Sequence, residues 1–273
     1  MGFSLDLRSQ ICRQPIDLPV FNSVALELIQ LLANHTVEIK EVVETINKDP
    51  SLSIEILKMA NSPAYAGRYS SATIKDSVNR LGVKQITNLA MAASQAAIHA
   101  SSLPIVNQMM RCLWSHSYAC ALGCHSLAIN TSNRELADQA YMAGLLHDIG
   151  KLYLLKAMEQ IYLSGEIEFE LDSETLLEVF SDMHVEQGLR IMSYMGIPDV
   201  YCSIVAKHHA DNVPPDDTLL AIVRLVNFMS MEYGLNTYPR YVQPKSADPE
   251  IIFLRVSESA LLQLETDMRV ASS

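Results

Sequence analysis

The chain has 273 residues, 31 acidic against 20 basic side chains and a formal charge of −11, with 19% charged and 49% hydrophobic residues. That balance excludes a disordered chain, because the apolar content can offset chain entropy, and the acidic excess disfavours non-specific nucleic-acid or anionic-membrane binding. Ten Gly and eleven Pro are few turn formers for this length, which favours long helices.

The N-terminus, Met1-Gly2-Phe3-Ser4-Leu5-Asp6, lacks the basic and apolar regions of a signal peptide, so a cytoplasmic location is expected. After a turn at Asp17-Leu18-Pro19, Val24, Leu28, Leu31 and Leu32 recur at helical spacing. Val42, Val43 and Ile46 mark a second short helix that ends near Asp49, because Pro50 follows. Ser51 can cap the next helix, which carries Ile54, Leu57 and Lys58 and stops at Met59-Ala60-Asn61-Ser62-Pro63. Tyr65 to Ser71 reads as a polar loop. Ile74, Val78 and Leu81 restart a helix that Gly82 ends.

Between Lys84 and Arg134 only Arg111 is charged. Polar residues such as Gln95, His99, Asn107 and His116 interrupt the stretch, so no unbroken apolar run of about 18 residues exists to span a membrane. Two central, well-buried helices at 85–101 and 105–130 fit better. Further helices are expected at 134–147 (continuing towards Met158), 173–195, 198–209, 217–233 and 250–268. Asp172-Ser173-Glu174 and Asn133-Arg134-Glu135 favour initiation, and Gly196-Ile197-Pro198 breaks one helix and starts the next. A short extended piece is expected within 160–172, and a polar loop at Pro239 to Pro249. The fold class is all-α.

Five cysteines, an odd number without framework spacing, indicate a reducing compartment. Cys112, Cys120 and Cys124 share one helical stripe with His116 and His125 nearby. A metal site there is conceivable, but structural zinc sites rarely take all their sulfurs from one helix, so the three read as small core thiols.

The histidines carry more chemistry. His116 and His184 lie on apolar helix faces, His147-Asp148 follows Ala143-Gly144-Leu145-Leu146, and His208-His209 ends a helix. Imidazoles and a carboxylate pointing into a core need partners, and a divalent ion can satisfy several at once. Lys151, one turn after His147, could stabilise phosphate charge beside such an ion. The plainer alternatives are hydrogen-bonded core histidines at 116 and 184, and a His208-His209 pair facing a helix C-terminal dipole. His35, His99 and His125 have no comparable setting.

Leu145-Leu146-His147-Asp148-Ile149-Gly150-Lys151 resembles the metal-binding core of the HD superfamily of phosphohydrolases. Four earlier blocks resemble the HDOD domain, the HD-related output domain of bacterial signalling proteins. They are Leu18-Pro19-Val20-Phe21, Ile46 to Ser53, Leu57 to Tyr65 and Ile74 to Gly82, and the likeness spans about residues 15–235. The resemblance implies an N-terminal helical subdomain, set here at 1–103, and an HD-like helical core with a C-terminal extension at 104–273. The sparsely charged stretch would be the seam between them.

It also implies metal ligands at His116, His147, Asp148, His184, His208 and His209, with Lys151 and Asp148 in any catalysis and Fe, Mn, Zn, Ni or Mg as the divalent metal. Two departures stand out. Asn227 occupies the position of the final ligand aspartate, and Ala210-Asp211-Asn212-Val213-Pro214 follows the histidine pair where the cyclic-dinucleotide-cleaving branch has Gly-Tyr-Pro. A neutral amide binds hard cations more weakly than a carboxylate and cannot act as a base. The expected function is therefore a regulatory module in bacterial signal transduction with a degenerate metal site. The alternative is a metal-dependent phosphohydrolase acting on a phosphoester or cyclic (di)nucleotide. No receiver, kinase or DNA-binding segment is legible, so any input is expected from a separate signalling protein or a small ligand, with a homo-oligomer also open. The exposed loop from Asn61 to Tyr65 and Gly67-Arg68-Tyr69 is a candidate contact surface.

Overall fold

Helices account for all regular structure in the computed structural model, which describes residues 5–15, 20–33, 37–65, 67, 70–210, 217–235 and 247–270. No strand occurs among them, and no described helix is long and apolar enough to cross a membrane. The chain separates into two compact units, Phe21–Ile98 and a second that joins Met1–Val20 to His99–Ser273.

The smaller unit contains α2 (Ser23–Ala33), α3 (Ile39–Ile46), α4 (Pro50–Ala60), α5 (Ile74–Leu81) and α6 (Val83–Ile98). Its core draws Val24 and Leu28 from α2, Val42 and Ile46 from α3, and Ile74 and Val78 from α5. On α4 the buried face is Leu52, Ile56 and Ala60, while Ile54 points outward. The cap of α4 differs from the sequence expectation. Asp49, not Ser51, accepts from the Leu52 amide at 3.0 Å, and Asn22 Nδ2 donates to its other oxygen at 3.0 Å. Pro50 fixes the first helical position, so the capping side chain must precede it.

Thr73 and Asp76 form a capping box on α5, and Gly82, at φ +84°, ends the helix as its lack of a Cβ allows. Asn61 closes the following loop, donating to Ser71 O at 2.9 Å and accepting from the Ser71 amide at 2.8 Å. The Asn61 block thus has a structural use within the described residues. Arg68 and Tyr69 lie outside them, as do the Asp17-Leu18-Pro19 turn, His35, the 211–214 segment and most of the Pro239–Pro249 loop.

The larger unit is organised by α7 (Pro104–Asn130), against which α8 (Ala137–Leu146), α9 (Ile149–Ser164), α12 (Thr218–Glu232) and α14 (Glu258–Val270) pack. Helix α10 (Ser173–Tyr194) packs on α9 and on α11 (Asp199–Lys207), and α13 (Asp248–Leu254) on α12. Small residues make this possible. A Cβ on Gly123 would stand 2.8 Å from Val226 Cγ1 and Met268 Cγ, so side chains of α12 and α14 pack directly on the backbone of α7. Asp172 caps α10 through the Thr175 amide, as its position before Ser173 predicts.

Several expectations are corrected. The first nine-residue helix, α1 (Leu5–Arg13), is not apparent from the sequence and packs on α9. The helix expected over 85–101 ends at Ile98. The helix expected to run from 134 towards Met158 is broken at His147-Asp148, after a 3-10 turn at Arg134–Leu136. Residues 160–172 hold no strand, since α9 continues to Ser164. The helix expected at 250–268 is two helices, separated where Arg255 adopts φ +53°.

Replacing Asp49 by Ala should lower stability by about 1–2 kcal/mol, because one amide loses its cap and Asn22 loses its acceptor. A denaturant midpoint unchanged from the parent would contradict the capping role.

Candidate metal centre

The break between α8 and α9 decides the site. His147 ends α8 and Asp148, at φ −106° and ψ 16°, precedes α9, so both side chains leave the helical rows and turn into the larger unit. Two glycines let the neighbouring helices close around them. A Cβ on Gly144 would lie 2.7 Å from Cys120 O, and one on Gly150 only 1.9 Å from His184 O. Gly150 of the Ile149-Gly150-Lys151 run is therefore a contact point between α9 and α10, and it brings His184 beside Asp148.

The carboxylate of Asp148 is the centre of the group. Its Oδ2 lies 3.5 Å from His116 Nε2, 3.4 Å from His147 Nε2 and 2.5 Å from Lys151 Nζ. Its Oδ1 lies 3.5 Å from His208 Nε2 and 3.9 Å from His184 Nε2. Asp148, His116 and His147 are at most 1% exposed, His184 and His208 3%, and Lys151 5%.

The backbone fixes the imidazole tautomers. His147 Nδ1 donates to Gly144 O at 2.8 Å, His184 Nδ1 to Phe180 O at 2.5 Å and His208 Nδ1 to Val205 O at 2.9 Å. A carbonyl oxygen can only accept, so each ring carries its proton on Nδ1 and aims an Nε2 lone pair at Asp148. His116 turns its Nδ1 outward by another route. Its Nδ1 is 3.3 Å from Ser230 Oγ, whose own proton goes to Asn227 O at 2.7 Å.

Lone pairs converging on a carboxylate repel unless a cation stands among them. Asp148 Oδ1 and His208 Nε2 are both buried without a hydrogen-bond partner, two acceptors facing one another. The donor set fits a divalent metal. His116 Nε2, His147 Nε2 and Asp148 Oδ2 are separated by 3.3, 3.4 and 3.5 Å. Nitrogen and oxygen donors about 2.0–2.1 Å from one tetrahedral ion are spaced at about the same distance. Outward Nδ1–H bonds to backbone carbonyls are the arrangement that orients metal-binding histidines.

The electrostatics agree. Burial opposes ionisation of Asp148, but Lys151 and the imidazoles hold its carboxyl well below the usual carboxylate range. Burial lowers both His147 and His184 to about 3, which keeps them neutral. His116 differs: burial disfavours its charge, yet the Cys120 sulfur and Asp148 together push it up to about 9, so in the metal-free protein this ring carries positive charge beside Asp148.

The structure thus brings together His116, His147, Asp148, Lys151, His184 and His208. His209 is exposed at the edge, its ring centroid 5.1 Å from that of His184. Asn227 is buried on α12 and reaches the cluster through its carbonyl, by way of Ser230. Ser230 and the carbonyl of Gly144 were not found from the sequence. Ser230 is 114 residues from its histidine, and no local spacing could signal it.

The HDOD domain profile matches residues 18–211. An uncharacterised protein of Treponema pallidum (strain Nichols) is 24% identical over 212 residues, 76% of this chain but 40% of that protein, so the chain spans well under half the length of this relative. Among solved structures, a candidate metal-dependent phosphohydrolase from Shewanella amazonensis SB2B superposes with a TM-score of 0.73 at 20% identity, covering 98% of this chain and 97% of that one. An HDOD domain protein of unknown function from Geobacter sulfurreducens gives 0.71 at 18% identity, covering 97% and 96%. A candidate signal transduction protein from Marinobacter aquaeolei VT8 gives 0.68 at 20% identity, covering 97% of this chain and 62% of that one.

Neutral buried imidazoles make the metal-free protein acid-sensitive. In the unfolded chain they titrate near the ordinary 6.5, so between pH 6.5 and 5 unfolding takes up about two more protons than the fold holds at His147 and His184. Stability should fall by roughly 2 kcal/mol per pH unit in that window, and less steeply in His184→Gln. Denaturant titrations of chelator-treated protein check this, and a flat profile from pH 7 to 5 would contradict neutral imidazoles.

Proposed function

The chain belongs to the HDOD domain family, and on that premise we propose that it is a regulatory module of a signalling pathway. It acts through contact with a protein partner and holds a divalent metal in its HD-type pocket as a structural element. The observation that carries this reading is the enclosure of the cluster. Catalysis on a phosphoester needs the substrate to reach the ion, yet Asp148 and four of its histidines are at most 3% exposed. Asn227 adds to the argument, since an amide there supplies neither a negative charge nor a base.

His116, His147 and Asp148 would hold the ion, with His184, His208 and His209 on the Oδ1 side of the carboxylate. Bound there, a divalent cation supplies the positive charge that the converging lone pairs lack. Lys151 holds Asp148 in its ionised form, and the backbone carbonyls on each Nδ1 keep the rings turned inward.

A second reading, a metal-dependent phosphohydrolase acting on a phosphoester or cyclic (di)nucleotide, is favoured by one observation. Lys151 Nζ stands 2.5 Å from Asp148 Oδ2, where a cation could stabilise phosphate charge. The name of the Shewanella amazonensis neighbour points the same way. In that reading the ion would polarise a phosphoryl oxygen.

Protein purified without chelator is expected to contain about one equivalent of divalent metal, lost in Asp148→Ala, and to show no metal-dependent cleavage of a generic phosphodiester. Elemental analysis and a phosphodiesterase assay decide between the readings. Hydrolysis abolished by Asp148→Ala would overturn the regulatory one, and metal-free protein would overturn both. Asn227→Asp should bind metal at least about tenfold more tightly in a chelator competition, because a carboxylate then stands at the position where the HD pattern has its final ligand.

A further inference from the structure

We propose that Cys120 is a thiolate ligand of this metal, giving the site a mixed nitrogen, oxygen and sulfur donor set. The inference rests on the pocket being a metal site and specifies which metal it takes. Cys120 lies one helical turn beyond His116 on α7 and is 1% exposed, as a core thiol would be. It belongs to the hydrophobic core of the larger unit, yet its sulfur also meets ring nitrogens. The sulfur is 3.8 Å from both ring nitrogens of His116, and donor atoms of His116, Cys120 and His147 all lie within 4.8 Å of one another. Sulfur at about 2.3 Å and nitrogen at about 2.0–2.1 Å from one tetrahedral ion stand about 3.5 Å apart, close to this spacing.

A separate observation concerns the same two nitrogens. Asp148 Oδ2, fully buried, stands 3.5 Å from His116 Nε2 and 3.4 Å from His147 Nε2, which adds a carboxylate oxygen to that nitrogen pair. His116 Nε2, His147 Nε2, Asp148 Oδ2 and Cys120 Sγ together make four donors. On binding, the thiol gives its proton to solvent, and two anionic donors then balance a divalent charge. The sulfur also resolves the Asn227 anomaly. The chain lacks a carboxylate at that position, and Cys120 supplies the second anion from α7 instead. Thiolate favours borderline or soft ions, so the site selects Zn²⁺, Co²⁺ or Fe²⁺ over Mg²⁺.

Titration of the metal-free full-length chain with Co²⁺ tests this independently of any activity. We expect a near-ultraviolet thiolate-to-cobalt charge-transfer band, absent in Cys120→Ser and retained in Cys124→Ser, with Co²⁺ binding at least about tenfold weaker in Cys120→Ser. Co²⁺ bound by the parent without that band would overturn the sulfur ligand while leaving the metal site standing. Failure of the parent to bind Co²⁺ would overturn both. Should Cys120→Ser not fold, loss of the band in Cys112→Ser, Cys124→Ser or Cys202→Ser would equally overturn the assignment.

Discussion

A carboxylate taken fully out of water loses several kcal/mol of solvation unless cations or donors replace it. Asp148 is 1% exposed, and the larger unit is arranged around meeting that cost. Lys151 meets part of it from one turn further along α9. The four imidazoles that surround it cannot meet the rest while neutral, because their protons point away to backbone carbonyls and a serine. The arrangement is stable against its own electrostatics only if positive charge occupies the space among the Nε2 atoms, by protonation or by a metal.

The chain reaches that arrangement with ordinary helical parts. Ending α8 at Leu146 and restarting at Ile149 turns two consecutive side chains inward, which an unbroken helix could not do, since neighbours in a helix point about 100° apart. Gly144 and Gly150 then remove the Cβ atoms that would hold α7 and α10 away. Helix α12 contributes through Ser230, whose Oγ faces His116 Nδ1 and donates to the main-chain carbonyl of Asn227. Arg224, paired with Glu250 at 2.7 Å and donating to Ala210 O, ties α12 to α13 and to the chain just past His208.

Enclosure and donor chemistry pull the functional reading in the same direction. A pocket that hides its carboxylate suits an ion that stays in place, and a thiolate donor suits an ion held tightly. A hydrolase needs the opposite balance, an open coordination position within reach of solvent. On the proposed reading, metal occupancy would act as a stabilising strut in the larger unit.

Much of this was legible in the linear chain. Periodicity located most helices, Gly82 and Asp172 marked real boundaries, and the unlike chemistries of His147, Asp148 and Lys151 within an apolar run identified the centre. Those signals are local, set by backbone preference and by side chains within a turn of each other. The sequence could not reveal the break at His147-Asp148, because both flanking segments have strong helical character and no Gly or Pro separates them. It could not separate Cys120 from Cys124 either, since both lie on one stripe of α7. Only tertiary packing turned one towards two imidazoles and set the other against α8. The sequence determined which donors exist and which helices carry them. The structure decided which donors meet, because that depends on how closely helices distant in sequence can approach, and glycines at the crossings set that distance.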